Sequence, residues 1–98
     1  MIIKIKTTEA AAPTGSGTAT NVSSATCVRA VNSGTTARLV TVEASGGTDF
    51  GTFTMPGGTV EYIEKDPTDQ IFAAHAEILL AAVALKGWWK HTKSLENR

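Results

Sequence analysis

This chain of 98 residues has one cysteine, three prolines, two histidines and six aromatic side chains, and its nine Lys and Arg are matched by nine Asp and Glu. Each scarcity excludes something. A lone Cys27 cannot close an internal disulfide, which removes the class of small secreted scaffolds held together by bridges. A net charge of zero supplies no general positive field, so the composition predicts no nucleic-acid partner and no anionic membrane surface. The longest apolar run, Ile78 to Leu85, has eight residues and is too short to cross a bilayer as a helix. The opening residues carry Lys4 and Lys6 inside their only apolar patch and lack the apolar core of a secretory signal. A soluble chain without an export signal is expected.

What the chain does contain is Thr at 15 positions, Ala at 14 and Gly at nine, with 42% apolar and 18% charged residues. That composition is rich enough in apolar side chains to fold, and its β-branched residues and turn formers predict one mostly β domain over residues 1–98. Short runs with two-residue alternation follow one another: Ile2 to Thr7, Ala25 to Asn32, Ala37 to Ala44, Phe50 to Met55 and Thr59 to Glu64. Asn32-Ser33-Gly34, Ser45-Gly46-Gly47 and Pro56-Gly57-Gly58 separate them, and the last reads as a type II turn with Gly57 at its positive-φ position, joining Phe50–Met55 and Thr59–Glu64 as a hairpin. Turn signals recur every 10 to 13 residues or so, the spacing of an antiparallel sandwich or barrel of about six to seven strands. Residues 10–20, built from Ala, Pro, Thr, Ser and Gly, read as a flexible loop, and 86–98 as a basic C-terminal tail.

Residues 73–86 admit two readings. Propensity favours helix, with Gly87 placed as a C-terminal cap. A helix there, however, would have no polar stripe from Ile78 to Leu85 and would need burial all round, which a domain of this size can hardly supply. A central strand covered on both faces is the preferred reading.

Catalytic and metal-binding constellations are not apparent. Cys27 is far in sequence from His75 and His91, and one Cys with two His provides no close ligand pair for zinc. Glu61, Glu64, Asp66 and Asp69 lack the spacing of a calcium loop, and Asp66 and Asp69 around Pro67 are read as side chains that bond turn amides. The glycines make no phosphate-binding loop. The sequence therefore predicts no cofactor, no metal and no enzyme; a small hydrolase would need Cys27 beside a histidine.

Trp88 and Trp89 are adjacent, so on a strand only one could enter its own core and the other is left for an interface. Charge is also segregated: residues 1–42 carry +3, 43–77 carry −6 and 78–98 carry +3. An acidic surface on one subunit facing basic terminal segments of another is the contact this pattern predicts. Ile3, Ile5, Trp88 and Trp89 are the candidate interface residues.

The segment TVEYIEKDPTDQIFA, with Glu64, Lys65, Pro67, Asp69 and Ile71 in a Glu-Lys-x-Pro-x-Asp-x-Ile turn, resembles small virion structural proteins of tailed bacteriophages, marine ones especially, over roughly Thr26 to Leu85. The resemblance implies a β-sandwich with a final strand at Glu77 to Leu85 and a non-catalytic role in the virion, as a capsid decoration or cement subunit. The partners implied are further copies of the chain and the major capsid or tail protein. Trp88 and Trp89 depart from the pattern. The alternative function is a receptor- or carbohydrate-binding module of a phage tail, using an exposed tryptophan as a stacking platform.

Overall fold

The computed structural model describes residues 2–86. It is built from eight strands: β1 (Ile2–Ile5), β2 (Ala10–Ala11), β3 (Cys27–Asn32), β4 (Arg38–Glu43), β5 (Asp49–Met55), β6 (Val60–Glu64), β7 (Gln70–Ala73) and β8 (Ile78–Lys86), with one 3-10 turn at Ser16–Thr18. Every pairing is antiparallel. One sheet has the order β1-β8-β3-β6, with β2 also paired to β8 beside β1; the other has the order β5-β4-β7. The architecture is the small antiparallel β-sandwich that alternation and turn spacing predict, with the two-residue β2 additional to the six or seven strands expected.

The preference for a strand over a helix in residues 73–86 holds, and the reason is the one anticipated. β8 is central in its sheet, with β1 and β2 along one edge and β3 along the other, and its side chains from Leu80 to Val83 are buried on both faces. Ile78, Leu80 and Ala82 point inward beside Val28 and Ala30 of β3. They meet Val40, Met55, Ile71 and Ala73 from the other sheet. Each of the larger aliphatic side chains buried here contributes about 1.5–3 kcal/mol.

Two expectations about the middle of the chain are corrected. β5 and β6 do not form a hairpin: they follow each other in sequence but pair in different sheets, β5 with β4 and β6 with β3. The register explains it. Met55 and Phe53 of β5 join the core from the second sheet, whereas Ile63 of β6 sits opposite Val28 in the first, so both strands bury apolar side chains only if they face each other across the sandwich. The turn between them also lies one residue later than predicted. Thr59 N–H donates to Pro56 O at 3.3 Å, and Gly58, at φ +77°, is the left-handed residue. Gly57 is needed for another reason: a Cβ there would lie 2.6 Å from the Thr35 carbonyl carbon, where the 33–36 turn crosses.

Segment 10–20 closes one side of the sandwich. After β2, Ala12 N–H donates to Ile78 O in the first sheet, Ala73 of the second sheet donates to Pro13 O, and Thr20 exchanges backbone hydrogen bonds with Ile71. Ser16 Oγ donates to the buried Glu43 Oε1 at 2.8 Å, which fixes the 3-10 turn on β4. The chain then makes a left-handed turn at Val22, Ser23 and Ser24, with φ of 53°, 56° and 58°. Asn21 holds that turn by accepting from Ser24 N–H on its side chain and from Ala25 N–H on its carbonyl.

Candidate functional site

Two surfaces stand out, and both follow from sheet order. The first is the outer face of the five-stranded sheet. Directly opposed residues in an antiparallel pair share a face, so Ile5 lies with Val83, Arg29 with Ala81, and Val31 with both Leu79 and Val60. These residues point away from the core. Val83 is only 2% exposed, while Ile5 beside it is 61% exposed. Ile3 is half-buried on the same edge strand. Arg29 reaches along this face to Glu9 at 3.2 Å. Of the candidate interface residues, Ile3 and Ile5 are thus together on this face, and Trp88 and Trp89 lie outside the described residues.

The second is a cleft of about 510 Å³ on the side opposite segment 10–20, between the outer edges of β5 and β6, the end strands of the two sheets among the described residues. Val42, Phe53 and Ile63 make its apolar floor. Gly51 leaves open space there, since a Cβ at this position would meet nothing within 4 Å. Phe50, 63% exposed, stands on the β5 side. Glu61, Glu64 and Asp69 line the other side with Lys65. Sequence pattern missed this cleft because it follows from the separation of β5 and β6, which were read as one hairpin.

Lys65 is buried, and its Nζ donates inward to Ala25 O at 2.7 Å and Asp66 O at 3.2 Å. Burial holds its pKa below the ordinary lysine range, with the charges of Asp69 and Asp66 opposing that shift. Asp69 Oδ2 accepts from Asp66 N–H at 3.1 Å, which is the turn bond expected of this pair. Ile71 of the same motif is fully buried in the core.

Cys27 is half-buried at the start of β3, directly opposite Glu64. Burial pushes its thiol pKa up, and the Glu64 charge adds to the shift. A thiol so placed is a weak nucleophile near neutral pH. His75 is at the other end of β3, in the turn whose Glu77 O accepts from Ser33 N–H, so about 16 Å of strand separates it from Cys27. His75 Nδ1 accepts from Glu77 N–H at 3.1 Å instead. His91 lies outside the described residues. Among the described residues no group of three or more His, Cys, Asp or Glu is placed to hold a metal ion. None of the helices among these residues is long and apolar enough to cross a membrane.

Compared with protein-family models, curated proteins and solved structures, the chain gives no match.

Proposed function

We propose that this chain is a non-catalytic structural subunit of a bacteriophage virion, of the capsid decoration or cement kind, which docks on further copies of itself and on the capsid or tail protein. The observation that carries the reading is the apolar outer face of the five-stranded sheet, where Ile5 and Val60 are exposed around Val31, Leu79 and Val83. Exposed apolar side chains on both edge strands of this face, with the Arg29–Glu9 ion pair between them, suit a contact surface of mixed apolar and polar character. A small domain whose single cysteine can form no internal bridge also gains stability from the area that assembly buries. The virion setting, reached after assembly in the host cytoplasm, comes from the Glu64-Lys65-x-Pro67-x-Asp69-x-Ile71 resemblance. Quantitative mass spectrometry of purified particles, with light scattering on the isolated protein, tests the reading. Expected are a copy number that scales with the capsid lattice and oligomers in isolation. A strict monomer with no affinity for capsids would overturn it.

A second reading, a receptor- or carbohydrate-recognition module of a phage tail, is favoured by the exposure of the aromatic Phe50 at the cleft. Glycan-array binding that is lost on Phe50→Ala, Trp88→Ala or Trp89→Ala would establish it in place of the first.

A further inference from the structure

The two sides of the sandwich are finished differently. Segment 10–20 ties the sheets together on one side through Ala12, Pro13 and Thr20. On the other, β5 and β6 both end their sheets among the described residues, so each presents an edge of backbone groups without a strand partner there to the cleft. Such edges accept an added strand or an extended segment. The cleft is within the range of about 300–1,000 Å³ usual for binding pockets. Its floor is apolar and has vacant room at Gly51.

The charge of the cleft selects the occupant. Glu61, Glu64 and Asp69 line it, and the one lysine among the lining residues, Lys65, turns its ammonium inward to Ala25 O and Asp66 O. Among the described residues neither Glu61 nor Glu64 takes part in an ion pair. The fitting ligand is an extended segment with a large aromatic side chain and several positive charges. Residues 87–98 of this chain have that composition: GWWKHTKSLENR contains both tryptophans of the protein, and Lys90, Lys93 and Arg98 outnumber Glu96.

The direction of β8 favours a second copy as the donor. Val28 pairs with Ala82, so β8 runs on to Lys86 about 10 Å beyond the level where β3 begins, along the strand axis and out of the sandwich. The cleft of the same molecule lies on the far side of β3 and β6, behind that direction of travel.

We propose that the cleft between β5 and β6 receives residues 87–98 of a neighbouring copy, with an indole over the open floor at Gly51 and lysines against Glu61 and Glu64. The proposal deepens the assembly reading given above and rests on it. It assigns the cleft to a basic protein segment; a neutral glycan, whose hydroxyls can also donate to these carboxylates, is separated from it by the test below.

Because Trp88 and Trp89 are the only tryptophans, intrinsic tryptophan emission reports on this segment alone. The test follows that emission together with sedimentation velocity on the full chain over a wide concentration range. The expected result is a blue shift that grows with concentration in step with oligomer formation. Gly51→Leu, which fills the cleft floor, and the double variant Glu61→Lys, Glu64→Lys should each weaken the association about tenfold or more, with unchanged circular dichroism. Lys90→Glu, Lys93→Glu should fail alone in the same way. Mixing this chain with the Glu61→Lys, Glu64→Lys chain should restore the shift, because only a contact between molecules can be complemented in that way.

Three results would overturn the proposal. A blue shift independent of concentration would place the segment on its own subunit. Oligomers with unshifted emission would leave the assembly reading standing and remove the cleft from it. Binding of a glycan at the cleft that Gly51→Leu abolishes, with no effect of Gly51→Leu on self-association, would assign the cleft to recognition. A strict monomer without affinity for capsids, by contrast, is the failure of the assembly reading itself.

Discussion

Asn32 ties one end of this molecule together. It is fully buried, yet its Nδ2 donates to Thr36 O and Met55 O, both at 2.8 Å, and its Oδ1 accepts from Gly34 N–H at 3.0 Å. The 33–36 turn, the end of β5 and the end of β3 therefore share one side chain. Replacing it with Ala leaves the buried Met55 carbonyl unpaired, so Asn32→Ala is expected to lower unfolding free energy by about 1–3 kcal/mol in urea titration. Asn32→Asp should be at least as harmful, since a carboxylate cannot donate to either carbonyl. Cys27 is the second informative residue. Its folded pKa is raised, so the stability gained by keeping the thiol neutral is present below the ordinary thiol pKa and is lost as pH rises through the raised value. Alkylation by iodoacetamide should accordingly rise at a higher pH in the folded protein than in urea. Glu64→Gln should move that profile toward lower pH, because it removes the smaller of the two causes and leaves burial in place. Of these residues, Asn32 was legible as a turn former, but nothing in its neighbourhood in sequence announced that the turn would be buried against Met55.

At the scale of elements, strand positions were legible because alternation and turn residues are local properties, and pairing was not. The two-faced burial of β8 could be argued from an uninterrupted apolar run because a strand needs cover on two faces and a helix all round. The partners of β5 and β6 could not be read, because two adjacent alternating strands joined by Pro56-Gly57-Gly58 satisfy a hairpin and a crossing between sheets equally well. The turn itself gives a test. At Gly57 the Thr35 backbone occupies the place of a side chain, so Gly57→Ala is expected to reduce stability by about 1–3 kcal/mol, read as a lower midpoint in thermal unfolding. The left-handed turn gives another, of opposite sign. Ser23 is exposed at φ 56° and makes no side-chain hydrogen bond among the described residues, so Ser23→Gly should raise stability by about 1 kcal/mol, as relief of left-handed strain exceeds the added chain entropy.

For the whole molecule, the arrangement of surfaces matters more than any one group. Ile5 and Val60 are both exposed on the outer face of the five-stranded sheet, so charging them leaves the core untouched. The double variant Ile5→Lys, Val60→Lys is expected to keep its unfolding midpoint within the narrow range of surface changes while weakening self-association about tenfold or more by sedimentation velocity. That Ile3 and Ile5, the candidate contact residues, share one face was legible in sequence because two-residue alternation is local. The cleft was not, since Phe53, Ile63, Gly51 and Glu61 come together only after β5 and β6 have separated into opposite sheets. Composition, alternation and turn residues thus decided the fold class, the strand identity of residues 78–86 and the absence of an internal disulfide, all of which depend on residue types and short-range order. Sheet membership, the closed and open sides of the sandwich, and the inward turn of Lys65 were decided by tertiary structure alone, because they depend on which apolar faces bury each other at long range.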